Sequence, residues 1–159
     1  ALSRTAKRHV PLLYWTGVAW GAAIAISKED SELTADQYVV EAMMRRALAL
    51  DEGYESGSIH DFFIAFEGGR PAGAGGSLEK AKHHLERALL FAKGRRAAPL
   101  VTYAETVSVS RQDRQDFAKL LEQALAIDAN QAKELRLSNL VYQKRARWLL
   151  ERTDELILE

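Results

Sequence analysis

One short helical pattern occurs three times in this chain, and it constrains the fold more than any other feature. Each copy surrounds an alanine with bulky apolar residues, and the alanines lie 41 and 36 residues apart. A small residue at a fixed point of a helix lets a neighbouring helix approach closely, and repeats of this length are typical of stacked helical hairpins. The pattern therefore predicts an all-α solenoid. The copies are residues 43–51, 84–92 and 120–128, centred on Ala47, Ala88 and Ala124.

The composition allows a folded domain and excludes some chemistry. The chain has 159 residues, of which 47% are hydrophobic, so we expect residues 1–159 to form a single helical-repeat domain. The 22 basic residues balance 22 acidic ones, whereas a nucleic-acid-binding protein normally has a basic excess, so no nucleic-acid partner is expected. The absence of cysteine excludes disulfides, thiolate zinc sites and cysteine nucleophiles within these residues.

Almost every segment has the apolar spacing of a helix, and none alternates like a strand. The first predicted helix, from Pro11 to about Ser27, is apolar on nearly all sides and is expected to be buried. The last, at about 131–158, is expected to be a long C-terminal helix that closes the stack. The other predicted helices are at about 35–51, after Gly57, at 77–94 and 99–107, and from a cap at residues 110–113 to about 128. The fold prediction is therefore a tetratricopeptide-like α-solenoid of stacked helical hairpins.

The sequence was also searched for a membrane span, a signal peptide and signs of processing. The longest uninterrupted apolar stretch, residues 18–26, is shorter than the roughly 20 residues that a membrane span requires. No pattern typical of a signal peptide opens the chain. Because the first residue is Ala1 rather than Met, we expect the chain to have been processed or cut at this end.

The segments that invite a catalytic interpretation have simpler explanations. The loop at residues 68–76 contains five glycines, but it lacks the Lys-Ser/Thr ending and glycine spacing of a phosphate-binding loop, so a flexible hairpin connection is favoured. His60 and Asp61 are adjacent in a helix, where side chains point about 100° apart and pair poorly. His83 and His84 have the same problem as metal co-ligands. We therefore predict no catalytic residue, no metal and no cofactor.

Aromatic side chains are the better candidates for a binding site. Three of them crowd the first helix, Trp148 lies in the last one, and His60 is isolated among apolar residues. Such side chains line ligand cavities as well as cores, and core packing remains the alternative for each. Arg145, Arg147 and Arg152 could face carboxylates such as Glu41 or Glu105. The candidate ligand- or partner-binding residues are Tyr14, Trp15, Trp20, His60 and Trp148.

Four runs together resemble the T component of TRAP-transporter-associated periplasmic systems, the TatT family. They are the Leu-Tyr-Trp-Thr-Gly-Val-Ala-Trp-Gly run at 13–21, the Glu-Ala-Met-Met-Arg-Arg-Ala-Leu-Ala-Leu-Asp run at 41–51, the segment from Gly57 to the glycine loop, and the Gln-Lys-Arg-Ala-Arg-Trp-Leu-Leu-Glu run at 143–151. The likeness covers essentially the whole chain, as the C-terminal part of a family member.

The resemblance implies a function without catalysis. It implies a periplasmic lipoprotein that forms a homotrimer, partners the solute-binding P component of a TRAP-type uptake system, and handles a small organic or hydrophobic ligand. Two other interpretations remain open: a tetratricopeptide adaptor that binds a peptide or protein in its concave groove, and an all-α enzyme. An enzyme would need paired carboxylates or a positioned base in its cavity, and a solute-binding module would need aromatic residues with a few polar anchors.

Overall fold

The computed structural model describes residues 2–27 and 29–158, and in these residues it contains helices and turns but no strand. The all-α prediction is confirmed, whereas the stacked-hairpin solenoid stays a prediction. The α-helices are α1 Val10–Ile26, α2 Ser31–Ala35, α3 Gln37–Leu50, α4 Ser58–Gly68, α5 Leu78–Ala92, α6 Ala98–Tyr103, α7 Arg114–Leu125, α8 Arg136–Leu150 and α9 Thr153–Leu156.

Helix starts follow the capping residues of the sequence. The Ser77 hydroxyl accepts a hydrogen bond from the Lys80 backbone N–H at 3.2 Å, and the Asp113 carboxylate accepts one from the Asp116 N–H at 3.0 Å. Each cap satisfies one backbone donor that the first turn leaves without an intrahelical acceptor. The predicted start near residue 35 is different, because Asp30 caps α2 and α3 begins only at Gln37.

The chain divides into two compact units, Ala1–Ile59 and His60–Glu159. Whether residues 1–159 act as one domain stays a prediction. In the first unit, α1 packs along α3, and the residues buried on the two helices are Val10, Leu13 and Gly17 on α1 and Val40, Met44 and Ala47 on α3. Ion pairing and hydrogen bonding join the chain before α1 to α3, through Lys7 with Asp51 and Arg46 with Thr5.

The prediction that the first helix is buried is wrong for most of its surface. Leu12, Trp15 and Ile26 are 69%, 58% and 87% exposed. The helix at Lys7–Ile26 is also long and apolar enough to cross a membrane by length and composition alone, with a mean hydropathy of 1.3, so the length argument from residues 18–26 was too strict. Apolar composition predicted burial, but Val10, Leu13 and Gly17 are the only residues of α1 that are buried.

The second unit has a continuous apolar core. Four buried alanines let α5, α7 and α8 approach their neighbours, and Phe117 and Leu121 of α7 fill the space between them with no exposed surface. Ala88 and Ala124 belong to this core, and Ala47 is equally inaccessible in the first unit. The prediction that the three repeated alanines are buried is confirmed. The four alanines on these helices are Ala81, Ala88, Ala124 and Ala146, and Ala97 and Ala104 belong to the same core.

Two buried amides attach α8 to this core. Asn139 accepts a hydrogen bond from the Ala97 N–H at 3.0 Å and donates one to the Arg95 carbonyl at 2.7 Å. Gln143, one turn later, donates to the carbonyls of Ala124 at 3.1 Å and Ile127 at 2.7 Å. These bonds satisfy backbone groups at the start of α6 and the end of α7, where helix termini leave orphan donors and acceptors.

The expected 28-residue closing helix is wrong. A short 3-10 turn at Lys133–Leu135 precedes α8, which spans 15 residues, and α9 is a separate single turn. The break falls at Arg152, whose φ of −111° and ψ of 19° are not helical, and the Thr153 hydroxyl then donates to the Leu150 carbonyl. A threonine that hydrogen-bonds to the backbone competes with helix continuation.

Candidate functional site

The second unit contains an open cleft with a volume of about 430 Å³. One wall is the end of α4 with the turn that follows it, and the other is the chain after α6. This volume is in the range of small-molecule sites. The lining combines hydroxyl, charged and apolar groups, and consists of Gly68, Gly69, Arg70, Pro71, Glu105, Thr106, Val109 and Ser110.

A π-helical turn, Ala104–Ser108, builds one wall. Ala104, Val107 and Ser108 point into the core, and the Ser108 hydroxyl donates to the Asp116 carboxylate at 2.6 Å. The wider turn leaves Glu105 and Thr106 on the cleft side. π turns are rare and occur frequently at functional sites.

Glycine is required in the opposite wall by close packing. A Cβ added at Gly68 would lie 2.6 Å from Val107 Cγ2 and 3.2 Å from Thr106 Oγ1. A side chain here would therefore push the two walls apart. Gly76 has a similar role, because its Cβ would lie 2.0 Å from the Arg70 carbonyl oxygen.

Arg70 holds the glycine turn in shape. Its guanidinium donates to the carbonyls of Phe66 at 2.7 Å, Ala74 at 3.2 Å and Gly75 at 3.3 Å, and lies 3.7 Å from the centre of the Phe66 ring. The buried Glu67 carboxylate is 3.9 Å from the same group. The turn thus holds an ion-paired guanidinium in a fixed position beside the cleft.

The rim of the cleft carries an ion pair backed by an aromatic ring. Arg145 of α8 contacts the Glu105 carboxylate with two nitrogens, one of them at 3.3 Å, and this hydrogen bonding raises the pKa of Arg145. Trp148 lies under two guanidinium groups, 4.1 Å from that of Arg145 and 4.4 Å from that of Arg152. Of the two carboxylates that the sequence offered to these arginines, Glu105 is the one that Arg145 contacts.

His60 belongs to a different cluster, between α4 and α5. Its Nδ1 lies 2.9 Å from Nδ1 of His84, and both rings are buried. Phe63 stacks on His84 and Phe91 on His60. His60 is therefore packed in the core, and whether it lines a ligand cavity stays a prediction.

The neighbouring Asp61 faces Arg96 rather than His60, as the angle between adjacent helix positions requires. Burial raises the pKa of Asp61 to about 6, although the Arg96 guanidinium acts in the opposite direction. Desolvation therefore has a larger effect on this carboxyl than its cationic partner.

The predicted aromatic residues of the first unit form a cluster only in part. The rings of Tyr14 and Trp15 are 5.2 Å apart edge to face, and Tyr14 is 5.3 Å from Tyr54. Trp20, partly exposed, lies further along α1. The assignment of Tyr14, Trp15 and Trp20 to a binding site stays a prediction.

Of the five predicted site residues, Trp148 is the one that the structure connects to the cleft, through Arg145 and Glu105. Sequence reasoning missed Arg70, Glu105 and Thr106 as cleft residues. Because Arg70 lies in the glycine loop, that loop could have indicated it as a cleft residue. No sequence pattern indicated the π turn. Among the described residues, no group of three or more His, Cys, Asp or Glu side chains is placed to hold a metal ion.

These features define an all-helical protein with an open cleft of small-molecule size. The sequence matches the family described as TRAP transporter T-component over residues 1–157, and the chain therefore belongs to that family. A protein of Treponema pallidum (strain Nichols), described as an uncharacterized protein, is 30% identical over 158 residues. The match covers 99% of this chain and 49% of the relative, so the chain spans about half the length of the curated relative it matches.

Proposed function

We propose that this protein is a non-catalytic binding and scaffold component of a periplasmic TRAP-type uptake system, and that it partners the system's solute-binding protein. The observation that carries the proposal is the family match across residues 1–157. A component of such a system has to meet its solute or the protein that delivers the solute, so it needs a binding surface rather than reacting groups.

The cleft is the proposed site for a small organic ligand. Its apolar lining residues, Pro71 and Val109, can contact a carbon skeleton, and the hydroxyls of Thr106 and Ser110 can orient polar groups. Charge of both signs is present, from Arg70 on one wall and Glu105 on the other. This combination suits a small polar organic solute better than a long hydrocarbon chain.

The proposed contact with the solute-binding protein is the rim formed by Glu105, Arg145 and Trp148. Tryptophan and arginine dominate the energetics of protein interfaces, and Trp148 is 37% exposed although two arginines lie against it. The full-length protein is further proposed to be lipid-anchored in the periplasm and to form a homotrimer, which places several copies of the rim in one particle.

Titration calorimetry of the full-length protein with the solute-binding protein of the same transporter tests the partnership. We expect saturable binding with a Kd of roughly 10 µM or tighter. The proposed partnership would be contradicted if the titration gave no binding heat and the two proteins also failed to co-elute in gel filtration at higher protein concentration.

A matched pair of variants on α8 tests the rim. Trp148→Ala should weaken partner binding by about tenfold or more, the loss expected of an interface anchor. Leu140→Ala is the control, because Leu140 is an apolar residue of the same helix with 43% exposure, and it should change the Kd less than about twofold. If Trp148→Ala changes the Kd no more than Leu140→Ala does, Trp148 is not part of the contact.

A further inference from the structure

The most unusual surface of the protein is the uncovered side of α1. All 17 residues of this helix lack charge, and those that face away from α3 follow the three- and four-residue spacing of a packed helix. This exposed stripe consists of Leu12, Trp15, Ala19, Ala22 and Ile26.

Small residues lie on both sides of α1. Gly17 is buried against Met44 of α3, and Ala19 and Ala22 occupy the middle of the exposed stripe. Bulky residues at the ends of the stripe and small ones at its centre form a shallow groove into which a second helix can fit. The helix thus has the residue distribution of one that packs between two others.

A lipid bilayer is a poor occupant for the stripe, despite the length and hydropathy of α1. α3 lies along the other side of α1 and carries the ion pair of Glu41 with Arg45, whose side chains are 30% and 48% exposed. Inserting α1 into hydrocarbon would carry these charges with it. Each charged side chain at mid-bilayer costs at least about 2.5–3.5 kcal/mol.

A second copy of the chain is also a poor occupant, on grounds of area. A helix of this length is about 25 Å long and about 10 Å wide, so pairing two stripes would bury on the order of 500 Å² in total. Stable interfaces between separate proteins bury about 1,200–2,000 Å². The stripe alone is too small for a dimer.

We propose that a helix from the part of the full-length protein outside residues 1–159 covers the exposed stripe. The Treponema relative has about as many residues outside the match as within it, which provides chain for such a helix. A contact within one chain needs little area, because its two sides are already held at high local concentration. Trp15 is then an intramolecular packing residue rather than a ligand contact.

Thiol accessibility in the full-length protein tests this proposal. Residues 1–159 contain no cysteine, so a single cysteine is introduced by Ala22→Cys, with any cysteine outside this segment changed to serine. Ala49→Cys on α3 is the control, because Ala49 is also an exposed helical alanine. A maleimide reagent should label the A22C variant at least about tenfold more slowly than the A49C variant, and equally fast after unfolding.

Each other outcome would overturn the proposal. Equal labelling rates in the native protein would mean that the stripe is open. Protection that disappears on dilution would identify a second copy as the occupant. Protection that appears only with vesicles of phosphatidylethanolamine and phosphatidylglycerol would identify a bilayer. Ala19→Cys, one turn away on the same stripe, repeats the measurement if the A22C variant melts at a lower temperature than the parent.

Discussion

Gly17 of α1 lies directly against the side chain of Met44 on α3. A Cβ at residue 17 would be 2.5 Å from Met44 Sδ and 2.9 Å from Cγ, and Met44 itself has no exposed surface. The packing of α1 against α3 at Met44 therefore depends on the absence of a side chain at residue 17.

Gly17→Val should lower the free energy of unfolding by about 1–3 kcal/mol, because Met44 has to leave its packed position to admit the new side chain. Urea unfolding followed by circular dichroism measures the change. Gly73→Val is the matched control, since an added Cβ there meets no atom within 4 Å. A Gly17→Val variant as stable as the control would mean that Met44 can move aside at no cost.

The repeated alanines give a second stability prediction. Enlarging Ala47, Ala88 or Ala124 to leucine should cost about 1–3 kcal/mol each, because all three are fully buried between helices. Ala49→Leu, on the exposed side of α3, should stay within about 0.5 kcal/mol of the parent. Thermal or urea melts compare the four variants, and three neutral core substitutions would contradict the repeat alignment.

The raised pKa of Asp61 should make the free energy of unfolding depend on pH. Its pKa is about 6 in the folded protein and close to 3.8 when unfolded, so the folded state holds the proton more tightly. The stability contributed by protonated Asp61 is complete below about pH 3.8 and is lost as the pH rises through 6. Two pKa units correspond to about 3 kcal/mol.

Asp61→Asn removes this titration. Relative to the parent, the variant should therefore gain stability by up to about 3 kcal/mol between pH 4 and pH 7.5. Urea melts of both proteins at a series of pH values provide the comparison. A difference that does not vary with pH would show that Asp61 keeps an ordinary pKa.

A substitution at Asn139 tests how much its hydrogen bonds, which attach α8 to the core, contribute to stability. Asn139→Ala leaves the Ala97 N–H and the Arg95 carbonyl without this partner, which should cost about 1–3 kcal/mol. Asn130→Ala, at an exposed asparagine that accepts from Arg136 at 2.9 Å, should cost less than about 0.5 kcal/mol. Similar losses in both variants would mean that the buried amide is no more important than a surface one.

Sequence patterns predicted the parts of the fold that local chemistry determines. Buried alanines at helical spacing and the Ser77 cap depend on neighbours a few residues away, and both are as expected. The closing helix was extended too far because no glycine or proline marks the break, which follows from the backbone hydrogen bond of Thr153 and the non-helical angles of Arg152.

The candidate site was less predictable because its residues meet only through tertiary packing. Arg145 had two plausible carboxylate partners in the sequence, and only the folded second unit distinguishes Glu105 from Glu41. The exposure of Trp15 was also missed, since hydrophobicity indicates that a side chain is apolar but not which element covers it. The π turn has no residue signature that separates it from an ordinary helix.

The π turn at Ala104–Ser108 makes one cleft wall depend on the number of residues in the helix more than on their identity. A π turn holds about one more residue than an α turn, so deleting one residue, for example Thr106, would restore ordinary helical winding and leave the side chains after it close to their present directions. The wall would lose one side chain, while the core face of the following turn would stay in place. Related chains should therefore be able to lose a single codon between Tyr103 and Val109 and keep this core, with a cleft wall that is one residue shorter.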